Sequence, residues 1–191
     1  EWTNHLSEVS EEEAEYYRKH TEKKGLKESM KDGLEKSIME FFISLGVRLF
    51  RAKNGKSFHH SMLVHTKETK KTMHGILDTI APFIEKLRQS IQSKRHIERG
   101  RGLSDQISAY TKFKQYYESI AILKINNPPT FVLLTDHLRD YFRNMETSEY
   151  PAVLEISSDP ERGDNLVYPE NQPYSVIAIG GNRLARGFTL E

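Results

Sequence analysis

The segment VIAIGGNRLARGFTLE, residues 176–191, combines the residue types that bind phosphate. Val176-Ile177-Ala178-Ile179 reads as a buried parallel strand. It runs into Gly180-Gly181, then Arg183 and Arg186 three residues apart, then Gly187. In open α/β sheets ligands bind outside the carboxyl ends of the strands. Glycine there lets the backbone approach a ligand closely, and arginine offers a forked donor suited to phosphate. If residues 182–190 continue as a helix, both arginines share a face. An ordinary strand, turn and helix with two surface arginines fits these residues equally well.

Other candidate chemistry is thinner. Gly55-Lys56-Ser57 has the tail of a phosphate-binding loop, but that pattern requires glycine where Phe50 stands, and a strand before it. His59, His60, His65 and His74 cluster in sequence, yet adjacent histidines in an extended chain point apart and no H-E-x-x-H is present, so no metal site is assigned. LEISSDPERGD carries Glu155, Asp159, Glu161 and Asp164, without the lysine that a nuclease motif needs. Turn formation explains Asp159-Pro160 and Gly163-Asp164. Lys94, Arg95, Arg99 and Arg101 form a basic, glycine-broken loop over 94–102 that could contact nucleic-acid phosphates; a solvated helix end explains it as well.

These groups need elements to hold them. Ser10-Glu11-Glu12-Glu13 predicts a capping box and a polar helix after it. Ile38, Phe41, Phe42, Leu45 and Leu49 recur at helical spacing from about Leu34, until Asn54-Gly55. Residues 61–66 predict a buried strand. From Glu68 the helical period returns with Met73, Ile76, Ile80, Phe83, Leu87 and Ile91, with Pro82 as a potential kink. Ile107 to Ile120 and Phe131 to Met145 predict two further helices. Strands follow at 152–157 and 175–179, separated by an irregular loop rich in proline and turn residues. The first two strands are too far apart for a simple crossover. The pattern therefore predicts a small, mostly parallel α/β sheet with an all-helical insertion.

Composition narrows the class. The 191 residues suffice for one large domain or a domain with an insertion. The net charge of +1 is unevenly spread: residues 1–15 hold six glutamates and no Lys or Arg, leaving the remainder basic. That permits a polyanionic partner without demanding one. The absence of cysteine excludes disulfides, thiol catalysis and cysteine-zinc sites. No apolar run approaches the roughly 18–20 residues that span a membrane. A start at Glu1 and an end inside an element suggest a piece of a longer protein.

The closing segment resembles the signature of the Z-one domain, a module of predicted bacterial and archaeal ATPases that is labelled an endonuclease. HHSMLVHTK, residues 59–67, resembles that family's other characteristic stretch, and YPENQPYSVIAIGG fits it too. The family in turn is similar to the second RecA-like half of a superfamily-two helicase. The resemblance implies N-terminal helices at 1–58 packing on the lobe, a RecA-like core at 59–67 and 149–191, and a helical insertion at 68–148. Gly180 to Thr189 would be the motif that touches both nucleotide and nucleic-acid backbone. Gly180, Gly181, Arg183, Arg186 and Gly187 would bind nucleotide, with Arg186 catalytic. Thr189, Lys94, Arg95, Arg99 and Arg101 would face nucleic acid. Thr189 stands where such helicases often carry an acid.

ATP and Mg are then expected for the full-length protein, and none for this segment, since the phosphate loop would precede Glu1 and a second arginine motif would follow Glu191. Expected partners are DNA, the first RecA-like lobe of the same chain, and methylase, GHKL-type ATPase or nuclease subunits. The expected setting is a cytoplasmic restriction or defence system, with no membrane. The leading function is a helicase-like, ATP-dependent action on DNA. The alternatives are a DNA endonuclease domain, with its catalytic carboxylates either outside this segment or formed by Glu155 and Asp159, and a non-enzymatic helical interaction module.

Overall fold

The computed structural model describes residues 10–20, 32–52, 59–65, 70–144, 151–156, 167–168 and 174–181. It is a mixed α/β structure, mostly helical, with one small parallel sheet. The elements are α1 (Glu11–His20), α2 (Asp32–Arg51), β1 (His59–His65), α3 (Lys70–Gln92), α4 (Lys94–Glu98), α5 (Ser104–Lys124), α6 (Phe131–Asn144), β2 (Ala152–Ile156) and β3 (Tyr174–Gly180). The chain divides into two compact units. The sheet-bearing unit comprises 8–33, 56–81 and 149–191; the helical unit comprises 1–7, 34–55 and 82–148. Most of α2 belongs with the later helices, and α3 starts with the sheet and passes to the helical unit at Pro82. Pro82 has no N–H to offer the Asp78 carbonyl, so one rung of the helix is missing there. No helix among the described residues is long and apolar enough to cross a membrane.

In the sheet-bearing unit the strand order is β1-β3-β2, and both pairings are parallel. Val176 to Ile179 are fully buried, as befits a central strand covered on both faces. Side chains alternate across the sheet. Leu154, Ile156 and Ala178 cluster on one face, which puts Glu155, Ile177 and Ile179 on the other. β1 was expected to be buried; instead it is an edge strand among the described residues, with Leu63 39% exposed, because only its β3 side is paired. At the start of α1 the Glu13 N–H donates to Ser10 Oγ (3.2 Å), as a capping box requires. The reciprocal half differs: the Glu13 carboxylate accepts from the Gly33 N–H (3.2 Å), the first turn of α2.

The helical unit is built on amphipathic stripes. Ile38, Phe42, Leu45, Leu87, Ile91, Phe113, Leu134 and Leu138 are essentially inaccessible to solvent. Phe131 packs against the rings of Tyr110, Phe113 and Tyr117 at 5.4–5.6 Å between centroids. Lys112 and Tyr116 of α5 bond Glu35 (2.6 Å) and Glu40 (2.7 Å) of α2. α2 also lies close to α6 at Gly46, where a Cβ would stand 2.8 Å from Leu134 Cγ and 3.2 Å from Leu138 Cγ.

That close approach yields a test. Gly46→Ala removes a helix-interior glycine, a gain of roughly 0.5–1 kcal/mol. It also overpacks two fully buried leucines, at a cost of about 1–3 kcal/mol. The net expectation is a loss on the order of 1 kcal/mol, seen as a melting temperature lower by roughly 2–4 °C. An unchanged or higher melting temperature by circular dichroism would mean that α6 yields at Leu134.

Candidate functional site

The three strands end level with one another. His65 of β1 and Ile156 of β2 both lie beside Gly180 of β3, so the carboxyl edge is a straight line across the sheet. Gly180 and Gly181 are buried at its middle, where the apolar run ends. A backbone without side chains therefore stands at the position where open α/β sheets receive ligands. Arg183, Arg186, Gly187 and Thr189 lie outside the described residues, as do Asp159, Glu161 and Asp164.

One residue short of that edge, Glu155 sits next to Ile179 with 7% of its side chain exposed. A carboxylate among aliphatic neighbours is costly unless it is paired. Its partner is His74, in the second turn of α3, with Nε2 3.0 Å from Glu155 Oε2 and the ring 37% exposed. α3 follows β1 in the chain and meets β2 at this pair. In sequence His74 belongs to a histidine cluster and Glu155 to a strand carrying a candidate nuclease carboxylate; nothing in the spacing links them, since most of the helical segment separates the two. The other histidines are dispersed. His59 opens β1 and lies against the Tyr168 ring (4.8 Å), His60 is buried, and His65 closes the strand. Among the described residues no three His, Asp or Glu converge as a metal site would require.

The basic segment of the helical unit departs from the expected loop. Its first part is a short helix, α4, and Lys94 at its start is 2% exposed. Lys94 Nζ reaches Asp136 Oδ1 (2.8 Å), Thr135 Oγ1 (3.1 Å) and the Val132 carbonyl (3.1 Å), so all three ammonium hydrogens are used inside the protein. Arg139 adds a second cation at 2.9 Å from Asp136. Lys94 is thus an anchor between α4 and α6, and its expected contact with nucleic acid is ruled out by burial. The other three residues behave as expected of a surface: Arg95, Arg99 and Arg101 are exposed. Arg99 and Arg101 make no ion pair with a described residue. Their turn is firmly shaped. The N–H groups of Arg99 (3.2 Å) and Arg101 (2.7 Å) both donate to the His96 carbonyl. Gly100 takes the left-handed conformation (φ 70°) that ends many helices. Gly102 follows so close to Ile97 and Ile107 that a Cβ would lie 2.9–3.0 Å from them.

Asp136 carries the electrostatics of the anchor. Burial by itself would raise its pKa, but the Lys94 hydrogen bond and the charges of Lys94, Arg139 and Arg95 outweigh burial and hold the carboxyl below its ordinary value. A depressed folded-state value contributes stability that is fully present above the unfolded pKa, near 4, and is lost as pH falls through the folded one. Asp136→Asn is expected to destabilise the protein at pH 7 by leaving Lys94 uncompensated. The stability gap between wild type and variant should hold steady down to about pH 5 and shrink below about 4. Urea unfolding across that range measures it, and a gap independent of pH would refute the account.

No curated protein and no solved structure matches the chain. A family model does: that of the Z1 domain, over residues 33–191, which takes in the helices from α2 onward, all three strands and the closing glycine-arginine segment. The stretches that resembled the Z-one signature in sequence are inside this match, and the chain belongs to the Z1 domain family.

Proposed function

We propose that this chain forms part of the second RecA-like lobe of a helicase-like, ATP-dependent, DNA-acting protein of a cytoplasmic restriction or defence system. The observation that carries the reading is the central position of β3. It is paired in parallel on both sides and delivers Gly180-Gly181 to the carboxyl edge, immediately ahead of Arg183 and Arg186. On this reading the edge forms one wall of a nucleotide cleft, with ATP and Mg held mainly by the first lobe of the full-length protein. Phosphoryl transfer there is a matter of positioning and charge stabilisation, which is what Arg186 would supply. An endonuclease built on Glu155 finds less support, since that carboxylate is committed to His74.

In the full-length protein Arg186→Ala is expected to lower DNA-stimulated ATP hydrolysis about tenfold or more while leaving the melting temperature nearly unchanged. The 191-residue chain alone is expected to hydrolyse no ATP, for want of a phosphate loop. An Arg186→Ala protein that melts much earlier, yet keeps normal turnover per folded molecule, would make the arginine a structural brace and remove the reading's main support.

The exposed arginines of the helical unit fit a sequence-independent grip on DNA backbone. Arg99→Gln with Arg101→Gln is expected to weaken DNA binding equally for unrelated sequences. It should also reduce the slope of log affinity against log salt by about 1–2, since each neutralised phosphate contributes roughly 0.9. Lys94→Met should leave that slope alone. Fluorescence anisotropy at several salt concentrations reads both; identical slopes for wild type and the double variant would place the DNA elsewhere.

A further inference from the structure

Glu155 is a buried carboxylate at a strand position flanked by apolar residues. On its face of the sheet, Ile177 and Ile179 of β3 are both buried and aliphatic. A leucine or isoleucine at 155 would fill the position without the desolvation that a carboxylate incurs. The pair Glu155 forms with His74 is also asymmetric. The carboxylate end is closed, at 7% exposure, while the imidazole end is open, at 37%. Among the described residues Glu155 is the one polar partner of His74. A buried carboxylate that takes one ring nitrogen fixes the tautomer and orientation of the imidazole. With Nε2 engaged, Nδ1 is the nitrogen left for a ligand. The pair sits at the level of Ile179, one residue from Gly180, on the edge where the sheet receives ligands.

We propose that His74 is a ligand-contacting residue of this edge: its Nδ1 meets a phosphate oxygen, and Glu155 is the positioning residue behind it. The inference rests on the reading of the edge as the nucleotide- and DNA-facing side of a RecA-like lobe. The shared chemistry is a phosphate oxygen, which either a nucleoside triphosphate or the DNA backbone could provide. An imidazole backed by a carboxylate suits it. The ring can present a donor to the phosphate while the carboxylate compensates the positive charge that the contact favours.

His74→Gln tests this without dismantling the pair, because the glutamine amide can reach Glu155 in place of Nε2 but has nothing at the Nδ1 position. In the full-length protein the variant is expected to melt within about 2 °C of wild type. A lost phosphate contact should raise either KM for ATP or Kd for a DNA oligonucleotide about tenfold. A rise in KM alone assigns the phosphate to the nucleotide; a rise in Kd alone assigns it to the DNA backbone. Glu155→Gln, which keeps an acceptor for the ring, should move the same constant less than Glu155→Leu, which does not. If wild type hydrolyses ATP and binds DNA, and His74→Gln matches it in both constants, the assignment of His74 is wrong and the wider reading stands. If wild type does neither, the reading of the edge fails and this inference fails with it.

Discussion

Parallel pairing on both sides of β3 is the constraint from which the rest of the sheet-bearing unit follows. Antiparallel neighbours can be joined by a tight turn, but parallel ones cannot; the chain must leave the sheet and return to its starting side. After β1 it leaves through α3, and it comes back only at β2. β3 then enters between two strands already placed, so both its edges are hydrogen-bonded and both its faces covered. That explains the unbroken apolar run from Val176 to Ile179, where an antiparallel strand with one wet face would alternate. It also explains why the carboxyl ends come level and why the first residues able to meet a ligand there are glycines. His74, near the start of α3, meets the Glu155 carboxylate of β2.

What could be read from the sequence was what local periodicity encodes. The run at 176–179 implied a buried parallel strand, and the stripes from Ile38, Met73, Ile107 and Phe131 implied helices; all are present. Ser10 capping α1 was equally local. The misreadings share a physical cause, which is that the deciding partner lies far along the chain. Lys94 opens a run of basic residues and looks solvated. Its three acceptors come from Val132, Thr135 and Asp136, and once they are in place the segment can start as a helix instead of a loop. Residues 61–65 have the composition of a buried strand, and only the sheet order makes them an edge. Glu155 and His74 are joined by tertiary structure alone. The closing arginines, which weigh most in the functional reading, are legible in the sequence and lie outside the described residues.

Among the charged side chains buried in the described residues, Lys94 and Glu155 differ in their surroundings. Lys94 is saturated. Three oxygens accept its three hydrogens, and the carboxylate among them is shared with Arg139 and held below its ordinary pKa. An ammonium whose three hydrogens all meet acceptors on α6 fixes how α4 meets that helix. Its surplus positive charge is expressed by its neighbours, Arg99 and Arg101, on a turn held by the His96 carbonyl and shaped by two glycines. Glu155 is met differently. One of its partners, His74, keeps much of its ring in solvent. Lys94 is closed off from solvent, whereas the imidazole paired with Glu155 is 37% exposed near the carboxyl edge of the sheet. The run Lys94 to Arg101, which looks uniform in sequence, thus divides into a buried anchor and exposed arginines, and the carboxylate at 155, on a strand in both the sequence and the structure, backs an imidazole near the end of the sheet.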